Sequence, residues 1–452
     1  MKKAKDFNLA KAFECEQKIA FIHAEQIAHG VVFDIRRAHW YVHILNERLL
    51  GYYHSIQQYL KPTISSPNEG KATVPFKKDG SHSHHAKQWY TDNVTVVGGA
   101  FCKIKIEGTE DLLTKRERLG KQLIELGWKP KHHTATGIPQ LIINKEPCES
   151  LAQFGILGDT IAKYYTYTHR RNQIQGFFKH VWYDAGGNCR LSADANIIGT
   201  PTFRYTHRIV ANIPKASKHV LFGKEMRSLF TVPKGYSLVG SDASGLELRM
   251  LAHYINDTEY TDTVVNGDIH TKHQEMAKLP TRDNAKSFIY CFLYGGGNAK
   301  IGEVTGGDDK AGGRLKKQFL KANPNLKKLI DKTKEEASEG FLEGLDGRRI
   351  TMRKFEGEVQ THKALNTLLQ SAGAVVMKYS DIWLYEQVKE LKLRATQVIS
   401  YHDETQWEVH KEDVEQFVEL CNHWVAEAGH QLNMNCPLAS DAQVGRNWSE
   451  TH

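Results

Sequence analysis

Pro280-Thr281-Arg282-Asp283-Asn284-Ala285-Lys286-Ser287-Phe288-Ile289-Tyr290-Cys291-Phe292-Leu293-Tyr294-Gly295-Gly296-Gly297 reads as a helix with marked ends, Pro-Thr before it and three glycines after it. Successive helical residues turn by about 100°, so steps of four drift by only about 40°. Arg282, Lys286, Tyr290 and Tyr294 therefore share an arc of about 120°. Two cations and two rings on one face can grip a polyphosphate at one end and stack a base and sugar further along. The plainer alternative is a surface helix with amphipathic tyrosines. Phe288 and Phe292 point elsewhere and would anchor the helix to a core.

About 40 residues upstream, Tyr236-Ser237-Leu238-Val239-Gly240-Ser241-Asp242 reads as a buried strand ending in a carboxylate. The turn Ala243-Ser244-Gly245 follows, then a helix beginning Leu246-Glu247-Leu248-Arg249. Taken singly, a strand-end Asp is as readily a helix cap. Downstream, Gln397–Tyr401 and Glu404–Val409 alternate as strands do, with His402-Asp403 at a hairpin tip. Adjacent acids at such a turn hold hard cations well, although most such turns are only solvated.

The flanking regions are less specific. Phe13 to Leu60 reads as two helices joined by a turn at Gly30 and Val31-Val32-Phe33-Asp34. Pro62 to Gly99 is rich in Ser, Pro, Gly, Lys and His and reads as an exposed, mobile loop, with Ser81-His82-Ser83-His84-His85 as solvated histidines rather than a metal site. Helical stretches are expected over Asp111–Gly127 and from Cys148 through the 160s, with a turn and boundary at Gly186-Gly187-Asn188. The glycine-rich stretch Gly302–Gly313 fits no phosphate-cradling motif and reads as a loop between helices.

Composition sets the outer bounds. The 452 residues and 51.3 kDa predict two to four structural units, and 40% hydrophobic with 25% charged residues excludes collagen-like, coiled-coil and disordered classes. Sixty Lys and Arg against 52 Asp and Glu give +8, which suits an anionic partner without proving one. Seven cysteines with no C-x-x-C pair argue against a disulfide framework or cysteine zinc site, and fit a reducing cytoplasm. Neither a signal peptide nor a membrane span is apparent.

Taken in order, the strand-end Asp, the cationic-aromatic helix and the acidic hairpin resemble motifs A, B and C of family A DNA polymerases, the DNA polymerase I type. Asp242–Arg249, Asn266-Gly267-Asp268-Ile269-His270-Thr271 and Thr281–Gly295 are similar to the phage replicative members. So are Thr202-Phe203-Arg204, Asn212-Ile213-Pro214, Gly344-Leu345-Asp346-Gly347-Arg348 and Ala364–Gly373. The likeness is strong from Leu191 to His452 and weak before it.

The resemblance implies an α+β right-hand fold. Its parts would be a helical thumb with an N-terminal arm (1–185), a palm on an antiparallel sheet (186–248 and 365–452) and helical fingers (249–364). It implies Mg²⁺-dependent, template-directed 5′–3′ DNA synthesis in phage replication. Asp242, Asp403 and the Ala243 carbonyl would hold two Mg²⁺ ions about 3.5–4 Å apart, with Glu404 nearby and secondary. Arg282, Lys286 and His270 would contact the triphosphate, Lys286 also giving a proton to the leaving pyrophosphate. Tyr290 would lie under the deoxyribose, Glu247 would crowd a ribose 2′-hydroxyl, and Tyr294 would stack beside the templating base. Arg204, Asn366 and Gln370 would read minor-groove acceptors, and His402 and Arg348 would also contact DNA.

The family carries a 3′–5′ exonuclease before the thumb, and this chain starts where that domain would end. The expectation is therefore no proofreading on this chain, with the exonuclease a separate polypeptide or trimmed away, Asp34 being a thumb-entry residue and Gly445–His452 a natural ending. A thioredoxin processivity factor is unsupported, and the Pro62–Gly99 loop reads instead as a basic thumb tip that tracks duplex phosphates. Rival readings are a phage-type single-subunit RNA polymerase, which Glu247 argues against, and an inactive primer-template-binding subunit.

Overall fold

The computed structural model describes residues 9–60, 63–65, 77–79, 81, 94–97, 100–103, 105–107, 113–114, 116–134, 136–143 and 146–451. Most of the Pro62–Gly99 segment, with His82, His84 and His85, lies outside these described residues. The chain divides into two compact units, Met1–Ile35 with Phe177–His452, and Arg36–Gly176.

In the larger unit, α1 (Ala10–His29) ends at Gly30, whose φ of 64° lets the chain turn into strand β1 (Val31–Phe33). In the smaller unit, α2 (Ile35–Gln57), α3 (Arg116–Glu125) and α4 (Ile156–Phe177) enclose Ile56, Leu119, Leu123, Trp128 and Ile161. The expected segment 1–185 is thus divided, because α1 and β1 pack with the larger unit. The turn expected at residues 31–34 is a strand. β1 pairs with β3 (Cys189–Leu191) and with β4 (Phe230–Thr231), and β2 (Val181–Tyr183) completes an antiparallel sheet on β3. A three-residue run is too short for its own periodicity to separate it from a turn.

The central sheet starts with β5 (Tyr236–Ala243). A run of helices follows, α5 (Leu246–Ile255), α6 (Thr258–Asn266), α7 (Ile269–Ala277), α8 (Arg282–Leu293), α9 (Asn298–Val304), α10 (Asp309–Ala322) and α11 (Pro324–Ala337), and then two short antiparallel hairpins. After the 27-residue α12 (Ala364–Glu390), the chain returns through β6 (Ala395–Tyr401), β7 (Glu404–His410), α13 (Val414–Gln431) and β8 (Ser440–Gly445). The antiparallel order is β6-β7-β5-β8. Behind it, α12 and α13 bury Trp407, Trp424, Val375 and Phe417 in one core with Phe288 and Phe292 of α8.

At the centre of β5 only glycine fits. A Cβ on Gly240 would stand 2.2 Å from the Gln406 Nε2 and 2.6 Å from the Thr451 carbonyl oxygen. The Gly302–Gly313 stretch is helical at both ends, not a loop. A Cβ on Gly302 would meet the Asp308 carbonyl at 2.1 Å, and one on Gly312 the Asn298 carbonyl at 2.0 Å. These glycines are spent on bringing α9 against α10. Among the described residues, no helix is long and apolar enough to cross a membrane.

Candidate active site

Two strand ends meet at one rim of the central sheet. Asp242 pairs across the ladder with Glu404, and one step further the Ala243 N–H donates to the Asp403 carbonyl at 2.9 Å. The tip between β6 and β7 is two residues long, and His402 takes a left-handed φ of 60° to close it. The sequence-expected acids of the strand and the hairpin are therefore adjacent. Burial and then the negative Glu247 hold the Asp403 carboxyl above the usual carboxylate range.

The pocket beside Asp403 is lined by Arg204, Glu247, Gln370 and His402. An adjoining pocket shares Arg204, Gln370 and His402 and adds Tyr294 and Asn366. Asn366 and Gln370 stand one turn apart on α12, so both reach the same hollow. Burial, followed by the positive Arg204, pushes the His402 imidazole down.

Helix α8 supplies the opposing wall. Thr281 caps it, its hydroxyl accepting from the Asn284 N–H at 3.1 Å, while Phe288 and Phe292 are buried in the core. That leaves Arg282 and Lys286 exposed and Tyr290 and Tyr294 nearly parallel, their rings 6.3 Å apart and inclined by 24°. Asp268 caps α7 and also takes two hydrogen bonds from the Arg282 guanidinium, at 2.7 and 3.2 Å. This pair holds the Asp268 carboxyl well below its usual range. His270 lies 6.1 Å from the Tyr290 ring, and burial plus the charges of Arg282 and Lys286 lower its pKa. The Tyr294 hydroxyl donates to the Glu247 carboxylate at 2.9 Å, tying the end of α8 to the start of α5. Burial, then the negative Glu247 and Asp403, raises the Tyr290 phenol, so this ring and both acids share one electrostatic environment.

Two expected residues sit differently. Glu404 faces a buried cage: Gln406 donates to it at 2.7 Å, the Trp448 indole N–H donates to the same oxygen, and Arg227 lies 3.4 Å from the other. Its carboxylate is 2% exposed. Arg348, expected at DNA, is 1% exposed and belongs to an internal ion cluster. It donates to Asp346 at 2.8 and 2.7 Å and to Glu16 at 2.7 Å, and its guanidinium lies over the Phe203 ring. In this arrangement the Arg348 guanidinium is committed to Asp346 and Glu16 and does not face solvent, where the expected DNA contact would lie. Its partner Glu16 lies on α1, which sequence spacing does not reveal.

Sequence reasoning also missed three residues. Asp441 on β8 stands directly across the ladder from Asp242 and is exposed, a placement that only the cross-strand register exposes. Arg353 and Lys363 line the pocket that holds Tyr294 and Asn366. Their only sequence signal is positive charge shortly before α12.

Acids at adjacent strand ends of the central sheet stand with a helix bearing cations and rings. Residues 102–450 match the family model for DNA polymerase family A, and the chain belongs to that family of DNA-directed, metal-dependent nucleotidyltransferases. It is 31% identical to the DNA-directed DNA polymerase of Escherichia phage Phieco32 over a 624-residue alignment covering 98% of this chain and 99% of that protein. It is 33% identical over 384 residues to the DNA-directed DNA polymerase of Escherichia phage T7, covering 75% of this chain and 52% of that protein. The chain thus spans about half the length of that relative. The POL domain of Pol1 from M. smegmatis, solved in complex with DNA primer-template and dNTP, superposes with a TM-score of 0.74 at 18% identity. It covers 96% of this chain and 70% of that one, and shows that the fold is shared.

Proposed function

We propose that this chain adds deoxynucleotides to a primer 3′-hydroxyl during phage DNA replication, with Asp242 and Asp403 as metal ligands. The residues suit a hard divalent cation: two carboxylates and the Ala243 carbonyl offer oxygen donors, and waters and substrate phosphates complete such a shell. Burial, followed by the negative Glu247, holds the Asp403 carboxyl above its usual range, and a bound cation would offset both. When bound, a pair of Mg²⁺ ions lowers the pKa of the primer hydroxyl and neutralises the departing pyrophosphate.

The chain's own residues do the rest. Arg282, Lys286 and His270 take the triphosphate, Arg282 exchanging its contact with Asp268 for phosphate oxygens. Lys286, exposed on the same face, gives its proton to the leaving pyrophosphate oxygen. Tyr290 lies under the sugar, Glu247 closes the space beside the sugar 2′ carbon, and Tyr294 borders the templating base. Arg204, Asn366, Gln370 and His402 contact the minor-groove edge of the newest pair, where acceptors common to all pairs report shape rather than sequence. Glu404 acts from its cage as a support of the β6–β7 hairpin. Residues 36–176 are read as the thumb, 249–364 as the fingers, and the central sheet with α12 and α13 as the palm.

The observation that carries this reading is the hydrogen bond from Ala243 to Asp403, which sets the two acids side by side. Primer extension with deoxynucleotides and then ribonucleotides, with and without Mg²⁺, tests it. Mg²⁺-dependent, deoxynucleotide-selective extension supports it; preference for ribonucleotides favours the RNA polymerase reading, and no extension favours an inactive binding subunit.

A further inference from the structure

Helix α10 bears a row of cations that the active site does not use. Lys310, Arg314, Lys317 and Lys321 are all exposed and follow i, i+4, i+7, i+11 spacing, which places them within an arc of about 60° over roughly 16 Å of helix. The opposite side of the helix is fixed. Gly312 packs against α9 at backbone distance, and the buried Phe319 ring meets Phe288 and Phe292 of α8 at 5.0 and 5.6 Å. These contacts leave the cationic row facing solvent. No carboxylate among the described residues forms an ion pair with any of the four.

We propose that this row binds the phosphates of the unpaired template strand as it approaches the active site. Two features favour a nucleic-acid strand over an acidic protein. The cations are evenly spaced on a rigid rod, as sequence-independent tracking of a backbone requires. No large apolar side chain on α10 is exposed beside them, whereas protein interfaces are anchored by buried aromatic or aliphatic groups. The row lies on the face of α10 turned away from α8, so a strand held there runs along the outer side of this helix pair, roughly one helix diameter from the helix proposed to border the templating base. The inference rests on the DNA-polymerase reading but reaches a surface outside the catalytic residues.

The test measures affinity of the full chain for primer-templates with a one-nucleotide and a long 5′ template overhang, across a salt series. The variant carries Lys310→Ala, Arg314→Ala, Lys317→Ala and Lys321→Ala, and a charge-preserving control carries Lys310→Arg, Lys317→Arg and Lys321→Arg. On the long overhang, the alanine variant should lose about two to three units of salt slope, at roughly 0.7 per single-strand phosphate. The arginine control should retain the wild-type slope. On the one-nucleotide overhang, affinity and kcat should match wild type, which also shows that the variant is folded and active. An alanine variant with the wild-type overhang dependence overturns the proposal, as does one that loses affinity equally on both substrates. Absence of extension by the wild type would instead count against the polymerase reading itself.

Discussion

The Tyr294 hydroxyl donates to the Glu247 carboxylate at 2.9 Å, so the end of the cationic helix and the first turn of the helix after Asp242 are joined through two residues that line adjoining pockets. The bond holds the Glu247 side chain in place, in the proposed reading beside the sugar 2′ carbon. Removing that carboxylate should therefore enlarge the space. Glu247→Ala is expected to lower discrimination against ribonucleotides by about 10- to 100-fold, corresponding to roughly 1–3 kcal/mol. Tyr294→Phe, which cuts the hydrogen bond and leaves the carboxylate, should stay within a few-fold of wild type. Competing incorporation of matched deoxy- and ribonucleotides gives both ratios, and unchanged selectivity in Glu247→Ala would refute the assignment.

Neutralising the paired acids should abolish chemistry while leaving the fold. Asp242→Asn and Asp403→Asn are each expected to reduce kcat by about a thousandfold or more, and the double variant should be little worse than the weaker single one, because groups that act together are not additive. Single-turnover extension measures the rates, and primer-template affinity measured alongside should stay near wild type. Extension undiminished in the double variant would remove these acids from the mechanism.

At Tyr290 the prediction concerns a missing 3′-hydroxyl. Tyr290 lies between His270 and Tyr294 with its own hydroxyl in the field of Glu247 and Asp403. In the proposed position under the sugar, the phenol would replace an interaction that a dideoxynucleotide lacks. Tyr290→Phe should raise discrimination against dideoxynucleotides by about tenfold or more, one hydrogen bond at roughly 1.4 kcal/mol. Equal termination frequencies for the two enzymes would argue otherwise.

The pH dependence centres on Asp381 of α12. It is 2% exposed, accepts from the Ser400 hydroxyl at 3.2 Å, and burial raises its pKa from 3.8 to about 7. A carboxyl raised on folding favours the native state fully below its unfolded pKa, and that contribution is lost as pH rises through the folded value. Wild-type stability should thus fall across about pH 4 to 7, with a total on the order of 4 kcal/mol from this group. Asp381→Asn should flatten the profile and be the more stable protein at pH 8. Urea unfolding at pH 5.5 and pH 8 decides it; an equal pH response in both proteins would show that Asp381 does not titrate there.

Legibility in the sequence followed the range of the interactions. The limits of α8 were readable from Thr281 and the following glycines, and the β6–β7 hairpin from alternation around His402 and Asp403, because caps and turns are decided by neighbours a few residues away. That Asp242 lies beside Asp403 follows from strand pairing between distant segments. Spacing alone carried no trace of it, and only likeness to known polymerases suggested it. Arg348 shows the limit of motif reading. Its Gly-Leu-Asp-Gly-Arg setting marks a turn and a cation but says nothing of Glu16, which arrives from the other end of the chain and draws the guanidinium inside. The glycines at 302 and 312 misled for a related reason. Their composition is that of a loop, while their use is to let two helices touch.

The cage around Glu404 gives the carboxy-terminal residues an unexpected reach. Trp448 donates to that glutamate and lies against the Arg227 guanidinium, and the Thr451 hydroxyl donates to Gln406 at 2.7 Å, two strand positions from Glu404 in the same β6–β7 hairpin. Purification handles fused directly after this segment, or carboxypeptidase trimming of a few residues, would pull a wedge from behind the sheet and slacken the hairpin without touching any group that meets substrate. An affinity tag for this enzyme belongs at the opposite terminus.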